Sequence, residues 1–367
     1  MWLLLFLLTA LVMVLPMAPA LREWRHPSDA SPLHIDNEDA LDPFFLARDF
    51  TARLSAAIAG GQRHLGPKAI ALVPKTGDWP LSAAEASQGC SSRIWHCSGS
   101  AVLPAGVRFL AEVAARDGLR SADAGTCHAL WTGGRLQVGA QSTVLRWAHG
   151  QEVDVGAGCH LAGRVSADRV ITLSGDSTFS LLHAPLVQFE PAMPRPSARL
   201  LPRLADAEST LPRHVRWDPT AGRGSSDETI LVEGRRGWRG DLVSRGDIVL
   251  GARCRVEGSL KARGSIRIEA GCVVGGSLVA EGAIELGPDT AVLGSVVSER
   301  SVVLGAGCVV GAPGRPATVA APNIDVGPSV LVHGTLWAGG CGRCASVAAA
   351  PEAQHKIERA PQVERAA

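Results

Sequence analysis

The chain has 367 residues, 46% of them hydrophobic, enough for one or two domains with a real core. Its 36 lysines and arginines balance 35 acids, so no net field draws it to nucleic acid or to an acidic surface. Tyrosine is absent and aromatic residues are sparse, which leaves few platforms for stacking bases or sugars, and nine cysteines at irregular spacing point to a reducing compartment.

Met1 to Leu21 is almost wholly apolar, broken by Pro16 and Pro19, and at about 20 residues it just crosses a hydrocarbon core. No lysine or arginine precedes the run, whereas Arg22 and Arg25 follow it. The positive-inside bias therefore predicts a retained transmembrane anchor in the inner (cytoplasmic) membrane, with the rest of the chain in the cytoplasm. Ala18-Pro19-Ala20 fits a signal-peptide cleavage pattern and supports the rival expectation of a secreted or periplasmic protein. Residues 22–128 read as a linker followed by a small helical region. Asp42-Pro43 predicts an N-cap and first helical position, and Phe50, Leu54 and Ile58 form a stripe that Gly60-Gly61 stops. Such a helix packs on the domain, with docking on a membrane surface as the rival. Residues 62–100 show no clear period, and a second helix is expected over 105–117.

A different order begins near residue 129 and is clearest from Gly240 to Val310, where the sequence repeats every 18 residues. Turns start at Gly240, Gly258, Gly276 and Gly294, each followed two residues on by Leu242, Leu260, Leu278 or Val296. Two alternating columns follow, Ile248/Ile266/Ile284/Val302 and Leu250/Ile268/Leu286/Leu304. Then come Cys254/Cys272/Thr290/Cys308 and Val256/Val274/Val292/Val310. Alternation at i, i+2 is the signature of strands, and a helix with a glycine about every six residues would lose roughly 1 kcal/mol at each. The pattern predicts an all-β fold, a β-helix (β-solenoid) of about 18 residues per turn over 129–337. Seven prolines between 184 and 221 predict a loop inserted between two runs of turns, and 338–367 reads as a disordered tail.

Hexapeptide-type acyltransferases share such a period and use a general-base histidine; His149, His160, His183 and His333 are the candidates, with His160 and His149 foremost. None has a carboxylate beside it in the sequence pattern that would fix its tautomer. The outward ladder Arg245, Arg263, Glu281, Glu299 reads as solvated charge, with Arg263 and Glu281 able to pair. Cys341 and Cys344 have the spacing of half a zinc site, but no second pair follows, and Cys90, His96 and Cys97 lie far off in sequence. No catalytic, cofactor or metal residue is assigned on these grounds. A solenoid nevertheless ends in unpaired backbone edges. The C-terminal end shows no cap in the sequence, which makes Val332, Leu336 and Trp337 candidates for self-assembly by end-to-end stacking.

The turns Gly240-Asp-Leu242, Gly258-Ser-Leu260, Gly276-Ser-Leu278 and Gly294-Ser-Val296, with their aliphatic columns, resemble the bactofilin family over roughly 222–337 and, more loosely, 129–180. That resemblance implies a right-handed β-helix, a non-enzymatic bacterial cytoskeletal polymer formed without nucleotide, and partners among envelope or cell-shape proteins. The hydrophobic N-terminus, the region before residue 129 and the proline-rich insertion depart from the family's short form. The two competing expectations are the acyltransferase, binding coenzyme A in a cleft, and a secreted carbohydrate-binding solenoid.

Overall fold

The computed structural model describes residues 42–74, 79–191 and 212–345, with residues 15–25 and Trp2, Leu5, Phe6 and Thr9 ahead of them. Two units are distinguished, residues 1–42 and 43–367. In the first, a 3-10 turn at Leu15–Met17 leads into helix α1, Ala18–Arg25. Among the described residues no helix is long and apolar enough to cross a membrane, and nearly half of the expected anchor lies outside them.

The second unit is a β-solenoid, and its described residues make about 13 turns of about 18 residues. Its regular part covers 223–310. Leu242, Leu260, Leu278 and Val296 lie over one another through parallel pairing of successive turns. The Ile248 and Leu250 columns stack the same way, and all these side chains are buried. Strands of two to four residues are joined by corners that nearly touch: a Cβ on Gly276 would fall 2.6 Å from the Gly258 carbonyl carbon, and one on Gly294 equally close to Gly276. At Gly258, Gly276 and Gly294 that approach, rather than a turn conformation, is what requires glycine, whereas Gly240 also has a φ of 105°. Beside this column runs a ladder of hydroxyls, the Ser259 Oγ accepting from the Ser277 N–H at 3.2 Å and the Ser277 Oγ from the Ser295 N–H at 3.1 Å.

The cysteine column has a comparable task. The Sγ atoms of Cys254, Cys272 and Cys308 lie 3.0, 3.1 and 3.2 Å from the carbonyl oxygens of Glu233, Gly251 and Gly287, and the Thr290 hydroxyl donates to Glu269 O at 3.2 Å. Ser142, Cys159, Ser177 and Cys344 repeat the contact elsewhere in the chain. The column is therefore one of small side-chain donors that satisfy a corner carbonyl of the preceding turn.

The solenoid starts at residue 68, not at 129. Strands β1 (Lys68–Val73), β2 (Ile94–Cys97), β3 (Arg108–Ala115), β4 (Thr126–Thr132), β5 (Thr143–Val155), β6 (His160–Leu173) and β7 (Thr178–Phe189) form successive rungs. Each pairs in parallel with the next. The helix expected over 105–117 is thus a strand. Phe109, Val113 and Ala115 point into the interior and Ala111 is buried on the outer flank, a short apolar run that periodicity alone does not tell from a helix face. Pro185, expected in a loop, belongs to β7, where a register shift between Ala184 and Val187 removes the need for its N–H.

Helix α2, Phe45–Ala59, begins at the N-cap Phe44 rather than at Asp42, and has no side-chain cap. It lies along the flank of this first solenoid as expected, with Ala47, Phe50 and Leu54 packed on Ile94, Ala111, Ala129 and Trp147. The Phe50 and Trp147 rings are 5.5 Å apart.

The inserted segment does not join two runs that advance in one direction. After it come β8 (Arg216–Asp218), β9 (Arg223–Ser226), β10 (Ile230–Val232) and β11 (Gly237–Arg239), the first rung of the second solenoid. That solenoid ends in β12 (Ala317–Val326) and β13 (Leu331–Cys344). Strand β13 pairs antiparallel with β7, so the last rungs of the two solenoids meet. The residues expected to begin a disordered tail, Gly339 to Cys344, are part of β13. Gly342 is required there, because a Cβ would collide with the ring of Phe179.

Candidate functional site: the joint and the ends of the solenoid

At the joint, Leu336 lies opposite Leu182 and Val332 opposite Val187, all four fully buried. Two of the three residues expected to mediate self-assembly are therefore covered by the same chain. The third, Trp337, points outward opposite Leu181 and is 58% exposed. The end that seemed uncapped in the sequence is closed by β7, a partner that a search for internal repeats does not reveal because it runs the other way.

The entry end of the first solenoid is also closed. Trp79 packs on Trp95 and Phe109, with ring centroids 5.1 and 5.5 Å away, and its Nε1 donates to Val102 O at 2.7 Å. Next to it, α3 (Ala83–Gln88) carries a capping box of Ser82 and Glu85. Burial opposes ionisation of Glu85, but hydrogen bonds from Arg93, Ser91 and Ser82 hold its carboxyl down to about 2.

The entry end of the second solenoid differs. Strand β8 covers β9 by antiparallel pairing, and Trp217 packs edge-on against Trp238 at 5.1 Å. Among the described residues, β10 pairs with one neighbour only, the strand Ile248–Leu250. Ile230 and Val232 point inward at the head of the aliphatic columns, while Leu231 is 56% exposed.

The four histidines do not converge on one site. His160 Nδ1 is 2.7 Å from Thr178 Oγ1 on the outer wall, and His333 Nδ1 is 3.2 Å from Pro185 O. His149 and His183 lie on one flank near the start of α2, where the ring of Phe44 contacts both, at 5.7 and 5.2 Å. His149 Nδ1 is 3.0 Å from Ser166 Oγ and its Nε2 3.8 Å from Asp168 Oδ1, so a carboxylate does stand beside it, contrary to expectation. His183 Nδ1 is 2.8 Å from Thr335 Oγ1 across the joint. Burial lowers the pKa of His149, with Asp168 opposing; burial and then Arg164 lower that of His183. Serine, histidine and aspartate are the residue types of a hydrolytic triad, but Ser166 is 3% exposed in mid-strand and Phe44 lies against the imidazole. The arrangement reads as a packed seam.

A groove of about 870 Å³ opens at a corner of the joint, with Leu304, Val326, Pro328 and Cys344 among its apolar walls and Thr178 and Arg343 at its rim. Elsewhere Arg263 and Glu281 approach to 4.0 Å, the ladder pair anticipated, and Arg245 pairs instead with Asp227 at 3.2 Å. Cys344 is buried in β13 and Cys341 partly so; among the described residues no group of three His, Cys, Asp or Glu could hold a metal ion. No family model, curated protein or solved structure matches the chain.

Proposed function

We propose that this chain is a non-catalytic scaffold of the bactofilin kind, assembling through solenoid ends and held at the inner membrane by its apolar N-terminal segment, with the solenoid facing the cytoplasm. The observation that carries the reading is the joint: inside one chain, two solenoid ends already adhere by backbone pairing and stacked aliphatic side chains. Its partners are further copies of itself, the membrane, and envelope or cell-shape proteins. The test is light scattering and negative-stain electron microscopy of the purified full chain in mild detergent. Assemblies larger than one chain are expected without added nucleotide, and a strictly monomeric chain at high concentration defeats the reading.

A second reading, a hexapeptide-type acyltransferase, is favoured by one observation: Thr178, which fixes the His160 imidazole, also lines the groove at the joint. It requires a thermal shift with acyl-coenzyme A that His160→Ala abolishes; no response to the ligand removes it.

A further inference from the structure

Strand β13 ends at Cys344, and the next residue, Ala345, forms part of the wall of the groove at the joint. Residues 346–367 are attached there and lie outside the described residues. We propose that residues 346–350, Ser-Val-Ala-Ala-Ala, run extended along this groove as a strap over the chain's own joint. The inference is independent of the scaffold reading, which needs no occupant for the groove.

Three features select this segment as the occupant. The first is that the coil is blocked ahead of it. In the two rungs below, the corners Gly305-Ala306 and Gly327-Pro328 lead on to Val309-Val310 and Leu331-Val332. The place that would follow Ala345 is taken by β7, whose Val187 and Gln188 pair with Val332 and Leu331 and whose Phe189 N–H donates to Val330 O at 3.0 Å. The chain must turn aside at Ala345, and the groove is open there. The second feature is length. Cys344 lies over Val326, Val326 over Leu304 and Leu304 over Leu286, so the groove descends three rungs from Ala345 to Pro288, roughly 14 Å at the inter-strand spacing. Five extended residues span roughly 16 Å. The third is composition. Pro288, Val303, Leu304, Ala306, Val326 and Pro328 give the groove apolar walls. Residues 346–350 carry no charge and no side chain larger than valine, whereas Glu352 opens a charged stretch that has no place on such a surface.

The test labels introduced cysteines in the full chain in mild detergent, each site being read by peptide mass spectrometry. Val303 in the groove and Val297 outside it are each 38% exposed, so Val303→Cys and Val297→Cys should react with a maleimide at similar rates if the groove is bare. Under the strap, Val303→Cys is expected to react more slowly by about tenfold or more, because the reagent must wait for the strap to lift. Val347→Asp together with Ala349→Asp should then bring Val303→Cys up to the rate of Val297→Cys, with the circular dichroism of the parent retained. Equal rates at the two sites in the parent would overturn the strap. Slow labelling of Val303→Cys that persists with both aspartates would also overturn it, and slow labelling that disappears on dilution would assign the cover to a second copy. Each of these failures leaves the scaffold reading standing.

Discussion

The two solenoids of this chain solve one packing problem by opposite means. Between residues 223 and 310 the second uses strands of two to four residues, and its repeat holds at 18 residues, before the long strands β12 and β13 close it. The first uses strands of up to 14 residues, shifts register between Phe109 and Glu112, Val144 and Trp147, and Leu161 and Arg164, and fills its interior with Trp95, Phe109, Phe179 and Phe189. Those shifts have a use. They surround the outward residues Ala111, Ala129 and Trp147, which bind α2. Strict repetition suits a wall with no fixed neighbour, and irregularity marks the wall that has one.

The sharpest way to break the comparison is to attack the rung that both halves share. Leu336→Asp puts a carboxylate between Leu182 and the aliphatic columns, and should cost about 4 kcal/mol or more. Urea unfolding followed by circular dichroism would measure it, and a loss under about 1 kcal/mol would mean that the halves stand independently. Next in size is the contrast between a crowded corner and an open one. Gly276→Val should cost about 3 kcal/mol because its Cβ meets the backbone of the preceding turn. Gly118→Ala, whose Cβ would meet little closer than the Ser100 hydroxyl at 3.3 Å, should cost about 1 kcal/mol or less.

A smaller effect should come from the donor column. Cys272→Val removes the donor to Gly251 O and should cost about 1–2 kcal/mol, while Cys272→Thr, the residue that position 290 already has, should stay within about 0.5 kcal/mol. Equal losses in thermal melts would show that volume, not hydrogen bonding, governs the column. The smallest effect is a response to pH confined to the first solenoid. His149 and His183 have folded pKa values below the ordinary 6.5, so their contribution is complete above 6.5 and is lost as pH falls through the folded values. Hydrogen exchange should show α2 losing protection on acidification before the strands at 242–310 do, and simultaneous loss would refute a local effect.

The second solenoid was legible in the sequence almost residue by residue, because identical rungs print the same letters at a fixed interval. The first was half hidden. Its register shifts let Arg108–Ala115 pass for a helix, and in 62–100 the first two rungs, Lys68–Val73 and Ile94–Cys97, are separated by α3, which hides the period. The joint was invisible for a stronger reason: antiparallel partners share no repeat, so nothing in the spacing ties Leu182 to Leu336 across about 150 residues. The seam of His149, Ser166 and His183 was missed for a related one. These residues are neighbours only through rung stacking, at positions where the register had already slipped.

The joint also sets the order in which the chain can be finished on the ribosome. Strand β7 is complete at Phe189, but its cover, β13, is not complete until Cys344, 155 residues later. At synthesis rates of about 5–20 residues per second, the nascent protein carries a bare aliphatic strand for roughly ten to thirty seconds. A message cut short before Leu331 would leave that strand permanently unmatched, so truncated products are expected to aggregate more readily than the full-length protein.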